Sequence, residues 1–145
     1  MERLKQMFSG TIKYLVDANA IKNLSVEDLK ARSDSNHIIV TIPEVRREVP
    51  SLKQRLSLIR DETLTNEAYD KMKEILVYPV VRKLVEYYEN KGAADGALLA
   101  HALTFQGVSM FTDRVVIVTE DQALREACQE LRIESLPVDD FNRHL

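Results

Sequence analysis

The stretch IKYLVDANA, residues 12–20, runs through apolar residues straight into an aspartate, Asp17. An unbroken apolar run of this length, bounded by polar residues, reads as a strand buried on both faces. IIVTI at 38–42 and VVIVT at 115–119 have the same character. Strands of this kind, separated by helical segments, belong to a parallel sheet covered on both sides. The expected architecture is therefore α/β, a three-layer α/β/α sandwich around a central, mainly parallel sheet of four to five strands. In such sheets ligands gather at the carboxyl ends of the strands. A buried carboxylate at that edge is expensive unless something there uses its charge.

Between the strands, Ser25 is placed to cap a helix over about 25–32, with Glu27 and Asp28 in its first turn. Pro43 opens a helix at the position where its missing N–H is harmless. The middle of the chain reads as entirely helical. Thr65 caps TNEAYDKMKEIL, whose Ala68, Met72, Ile75 and Leu76 recur at helical spacing; Pro79 interrupts. VVRKLVEYYENKG then runs to a stop at Asn90–Gly92, and ADGALLAHALTFQG presents a stripe of Leu98, Leu99, Ala102 and Leu103. A helix over 121–131, a short strand near 133–136 and a last helical turn follow.

A chain of 145 residues, 45% hydrophobic and 30% charged, is sized for one domain, 1–145, with a proper core. The first residues carry spread charges and no apolar core of a signal peptide. The single cysteine, Cys128, shares a helical face with Leu124, Ala127 and Leu131 and reads as a core filler; its solitude points to the cytoplasm. A net charge of −3 argues against a surface that binds nucleic acid everywhere, while leaving room for a local basic patch.

Acids fall where a site is expected. Asp17 ends the first strand, Asp121 follows VVIVT, Glu44 and Glu48 lie in the first turns after the second strand, and Asp95 starts a helix. Capping accounts singly for Asp95 and Asp121, the dipole of its helix for Glu44, and a neighbouring arginine for Glu48. Capping does not account for all of them together, because Ser, Thr or Asn would cap as well. Converging carboxylates without basic partners repel, and such a cluster usually exists to hold a hard divalent cation. Mg²⁺ or Mn²⁺ suits an all-oxygen set; His37, His101 and His144 show no zinc-ligand spacing, and His101 reads as a surface or interface residue.

In sequence order, LVDAN, IPEVRREV, ADGALLAHAL and VVIVTEDQALREACQELRIESLPVDDF resemble the motifs of PIN-domain nucleases over nearly the whole chain. The third and fourth are the most specific. The resemblance assigns Asp17, Asp95 and Asp121 as site acids, with Asn19 and Thr119 as polar companions that orient a ligand or phosphate. For the second acid it favours Glu48 over Glu44. The inserted SMFTDR makes Asp113 a rival to Asp121, although the continuous VVIVT strand favours Asp121.

The resemblance implies Mg²⁺- or Mn²⁺-dependent phosphodiester hydrolysis, most often of RNA. It extends to toxins of toxin–antitoxin pairs, which implies a small protein inhibitor and a homodimer. Met72, Ile75, Val81, Leu84, Val85 and Tyr88 are expected on the dimer face, with core burial an equal explanation. Arg46, Arg47, Arg114 and Arg125 are candidates to carry an RNA backbone, and Tyr87 and Tyr88 to stack on bases. The alternative is a catalytically silent PIN-like module that binds RNA or a protein partner. A phosphoacceptor domain is disfavoured: Asp17 has no acidic neighbour, and no lysine follows VVIVT.

Overall fold

A computed structural model of the chain describes residues 11–33, 36–87, 90–106 and 114–143, and the side chains of residues 86–93 lie outside that description. Asp113, Tyr88 and His144 therefore fall outside the described residues, as does the side chain of Tyr87.

The first strand, β1 (Ile12–Val16), pairs in parallel on both sides, with β2 (His37–Thr41) and with β4 (Arg114–Val118). Beyond β2 lies a two-residue β3 (Arg60–Asp61), and beyond β4 lies β5 (Glu134–Leu136); both are again parallel. The order is β3-β2-β1-β4-β5. The direction of strand addition reverses at β1, and right-handed crossovers then place the helices on opposite faces. All-parallel pairing is what the unbroken apolar runs require, since Tyr14, Leu15 and Val16 are all fully buried although successive side chains face opposite ways.

Two pieces of the expected pattern need correction. The segment read as wholly helical contains the edge strand β3, whose two exposed residues carry no apolar signal. A helix α1 (Ala18–Asn23) follows β1 directly, capped by Asp17, so ANAIKN is helical rather than a loop. Helix α2 (Val26–Arg32) starts at Ser25, whose hydroxyl accepts from Asp28 N–H at 3.0 Å.

After β2, α3 (Pro43–Arg46) is only one turn, and α4 (Lys53–Leu56) is equally short. Glu48 thus lies in the turn after α3, outside the helix where it was expected. Helix α5 (Asn66–Ile75) is capped by Thr65. Its Ile75 is buried, but Leu76, expected on the apolar face, is 39% exposed at the C-terminal cap.

Pro79 opens α6 (Pro79–Tyr87), and α7 runs Asn90–Gln106. The expected stop at Asn90–Gly92 is instead the first turn of α7, which moves Asp95 into the second turn. Helix α8 (Gln122–Glu130) and α9 (Val138–Arg143) complete the chain. Helix α8 ends in a Schellman arrangement: Ile133 N–H reaches Cys128 C=O at 2.8 Å and Arg132 N–H reaches Gln129 C=O at 3.2 Å, with Arg132 at φ 60°.

The core fills both faces of the sheet. Tyr14 packs edge-on against Phe141 of α9, and Arg32 of α2 lies over the same ring. On the opposite face, Leu98, Leu99 and Ala102 of α7 are fully buried, with Val81 and Leu84 of α6 and Ile75 of α5. Of the side chains expected on a dimer face, Ile75, Val81 and Leu84 are core residues, and Met72 and Val85 pack against them. Core burial was the explanation that held. Tyr69, Leu76, Val77 and Tyr78 are the large apolar side chains left exposed among the described residues.

His101 also departs from expectation. It is 2% exposed, and its Nε2 stands 3.0 Å from Glu62 Oε1. Lys13 Nζ binds the same carboxylate at 3.0 and 3.1 Å and sits 3.3 Å over the Phe105 ring. This buried group ties β1, the segment after β3, and α7 together. Burial alone would raise Glu62, but bonds from His101 and Lys13 outweigh it and hold the carboxyl below its ordinary 4.5.

Candidate functional site

Asp17 leaves β1 at its carboxyl end and is used twice by the protein itself. Oδ1 accepts from Ala20 N–H at 2.7 Å, capping α1, and Oδ2 accepts the Thr119 hydroxyl. The register Val16–Val118 brings Thr119 alongside, although the two residues are far apart in sequence. Burial raises the carboxyl; the bonds from Thr119 and Ala20 pull it down, and the charges of Asp121 and Glu48 push it up again. The outcome is a pKa of about 6, against an ordinary 3.8.

Thr119 is buried and links two acids. Its hydroxyl donates to Asp17 and accepts Asp121 N–H at 3.0 Å. Asp121 in turn caps α8, its Oδ1 accepting from Ala123 N–H at 2.9 Å and Leu124 N–H at 3.4 Å. The capping role expected for Asp121 is thus present beside any other. Thr41, fully buried at the end of β2, donates to Val16 C=O at 2.8 Å and braces the residue before Asp17.

Asp95 caps nothing, because α7 begins five residues earlier. It projects from the second turn, where Gly96 lets α6 approach closely: a Cβ there would meet Val85 Cγ2 at 3.3 Å. Burial, and then the charges of Asp17, Asp121 and Glu48, raise the Asp95 carboxyl to about 8. Burial is the larger cause, and the smaller contributions of Asp17, Asp121 and Glu48 reflect their nearness to Asp95.

These side chains meet. Asp17, Ala18, Asn19, Lys22, Glu48, Asp95 and Asp121 line one cavity of about 310 Å³ at the carboxyl edge of the sheet. Glu44 does not line it; it is half-buried and lies 3.8 Å from the exposed Arg47. Asn19 lines the cavity from the first turn of α1. Lys22 was missed in the sequence. Its signal was available only once ANAIKN was read as helix, because a turn and a half of helix carries residue 22 back over the cavity.

Other candidates are placed elsewhere. Arg114 starts β4, at the end of the strand away from the cavity, and is paired with Glu134 at 2.5 Å. Cys128 is fully buried, and burial, with the nearby Asp17 and Asp95 charges, pushes its thiol up to about 12, which rules it out as a nucleophile at neutral pH. Glu120, the acid beside Asp121, is engaged in accepting Val138 N–H at 2.9 Å.

The donor set in the cavity is anionic and oxygen-only, which suits Mg²⁺ or Mn²⁺ in kind. Among the described residues no three acidic, histidine or cysteine side chains are already gathered into a group that could hold a metal ion. The acids share a cavity, and the neighbouring carboxylates add to the effect of burial in raising Asp17 and Asp95. Among the described residues no helix is long and apolar enough to cross a membrane.

No family model and no curated protein matches the sequence. Among solved structures the chain is similar to the 2.2 Å resolution structure of VapBC-1 from nontypeable Haemophilus influenzae. The TM-score is 0.57 and the identity 10%, over 88% of this chain and 99% of that chain. At that identity the likeness speaks for the backbone and leaves the roles of individual side chains open. The parallel order β3-β2-β1-β4-β5, the helices on both faces and the structural match together give the chain a PIN-like fold.

Proposed function

We propose that this chain is a Mg²⁺- or Mn²⁺-dependent endoribonuclease of the PIN type, acting in the cytoplasm as the toxin of a toxin–antitoxin pair. One observation carries the reading: Asp17, Glu48, Asp95 and Asp121 come from four separate segments and line one cavity, where burial and the neighbouring acids raise the pKa of Asp17 and Asp95. Capping explains Asp17 and Asp121 where they stand but not Asp95, which caps nothing, and a divalent cation would relieve the repulsion among them. Asp17 and Asp95 would be the central ligands, with Glu48 and Asp121 completing the cup. Bound there, the ion supplies charge neutralisation at a phosphodiester and activation of water for attack.

The chain's own groups do the rest. Thr119 fixes the Asp17 carboxylate, and the α8 N-terminus fixes Asp121. Asn19 and Lys22, at the cavity mouth, are placed to bond and offset a phosphate oxygen. In this reading a small inhibitor protein and a second copy of the chain are partners, and the exposed Tyr69, Leu76, Val77 and Tyr78 are the apolar side chains available to them. Sedimentation equilibrium checks the dimer; a monomer throughout the micromolar range would remove it.

The test of the activity is cleavage of a mixed RNA pool in Mn²⁺, lost with EDTA and lost in Asp95→Asn while the fold persists. The second reading, a PIN-like RNA- or protein-binding module without turnover, draws on the acids not being gathered beforehand into an ion-holding group. Mn²⁺ uptake without any cleavage would select it.

A further inference from the structure

The acidic cavity has the wrong charge for a polyanion, so a strand must be held by cations close by. Several cations in the described structure are already engaged elsewhere. Lys13 is bound to Glu62, Arg114 to Glu134, and Arg55 Nε donates to Leu24 C=O at 2.6 Å.

A different set remains on the far side of the turn that carries Glu48. Arg46, Arg47, Pro50, Lys53, Leu56 and Ser57 line a groove of about 430 Å³ that contains no carboxylate. Arg46 and Arg47 immediately precede Glu48, so α3 and its turn form a wall shared by this groove and the acidic cavity. Arg46 Nη1 makes one long bond, 3.5 Å, to Leu56 C=O. Arg47 is 75% exposed and 3.8 Å from Glu44, a loose pair that screening weakens further. Lys53 is exposed and has no ion pair among the described residues. In a chain of net charge −3, three cations that have at most one loose ion pair between them, over an aliphatic floor, mark a local reversal of sign.

We propose that this groove is a phosphate track, in which Arg46, Arg47 and Lys53 hold the sugar-phosphate backbone of an RNA strand and deliver it to the acidic cavity from the Glu48 side. The direction of approach rests on the nuclease reading above; the binding surface does not. Backbone contacts of this kind contribute affinity without sequence preference and weaken steeply with salt.

The experiment uses the full chain with Asp95→Asn as a non-cleaving host, a fluorescein-labelled mixed-sequence single-stranded RNA dodecamer as probe, and anisotropy in Mg²⁺ across a salt series. Adding Arg47→Gln and Lys53→Gln is expected to weaken binding about tenfold at low salt and to flatten the log–log salt slope by about 1.4, roughly 0.7 per lost phosphate contact. Lys73→Gln with Lys83→Gln, on exposed positions of α5 and α6, is the charge-matched control and should change neither. In the cleaving protein, Arg47→Gln/Lys53→Gln should raise KM for the dodecamer and leave kcat in place.

Unchanged affinity and slope in the double variant, or an equal loss in the control pair, overturns the track even if RNA is cut normally. Absence of cleavage by the wild type, with the binding loss still specific to Arg47 and Lys53, removes the nuclease reading and leaves the track standing.

Discussion

Asp95 is the residue on which chemistry and stability pull in opposite directions. Its carboxyl is pushed up by burial and by three other acids, so at neutral pH it is a destabilising element, which in the proposed reading a cation would relieve. Asp95→Asn should abolish metal-dependent cleavage by at least about a hundredfold, since a central charge of the cup is lost. The same substitution should raise the melting temperature of the EDTA-treated protein at pH 8 by about 3 °C, corresponding to roughly 1 kcal/mol in a chain of this size. It should also remove the stabilisation that Mn²⁺ gives the wild type.

Thr119 offers a complementary test. Thr119→Val keeps the volume but deletes the donor to Asp17 and the acceptor for Asp121 N–H. The expected result is a loss of about 1–3 kcal/mol in stability and a 10–100-fold loss in Mn²⁺ affinity by calorimetry. Thr119→Ser should retain most of both, and equal losses in the two variants would mean that the hydroxyl is not the group that matters.

Among the elements, what the sequence disclosed depended on how strongly each announced itself. Apolar runs gave β1, β2 and β4 to within a residue or so, and Ser25, Thr65 and Asp121 marked their helices correctly because capping is local chemistry. Strand β3 was hidden because an exposed two-residue edge strand needs only backbone bonds to β2. Helix α1 was hidden because the acid at the tip of β1 reads as a site acid, whereas Asp17 also caps α1. The burial of His101 depends on Glu62 and Lys13, which lie far away in the chain and only become neighbours once the sheet has formed.

Arg132 is a case where local rules point to an improvement. It occupies the left-handed position that closes the Schellman turn after α8, at φ 60°, where glycine has no side chain to strain. Arg132→Gly should stabilise the protein by up to about 1 kcal/mol, a rise in melting temperature of roughly 3 °C. A fall on thermal unfolding would show that the side chain contributes more than its backbone strain removes.

Taken together, the titrating groups set a pH profile. Glu62 is held below 4.5, so its contribution is present above that value and lost as the medium is acidified through its lowered pKa. Asp17 and Asp95 are raised above 3.8, so their contribution is complete below that value and lost as pH climbs through about 6 and about 8. On these three groups the metal-free protein should be most stable around pH 4 and weaken as pH rises to about 8. Mn²⁺ should bind more tightly over the same rise, because it takes the ionised acids. Differential scanning fluorimetry with EDTA and with Mn²⁺ reads both curves; a metal-free melting temperature that is flat from pH 5 to 9 would contradict the assignment.

The order β3-β2-β1-β4-β5 has a further consequence. Asp17 emerges early from the ribosome, but its partner Thr119 and the neighbouring Asp121 are translated about a hundred residues later, on the strand that must slot in beside β1. Until that strand docks, the Asp17 carboxylate lacks the hydroxyl that fixes it, so a partly folded chain carries an unfinished edge.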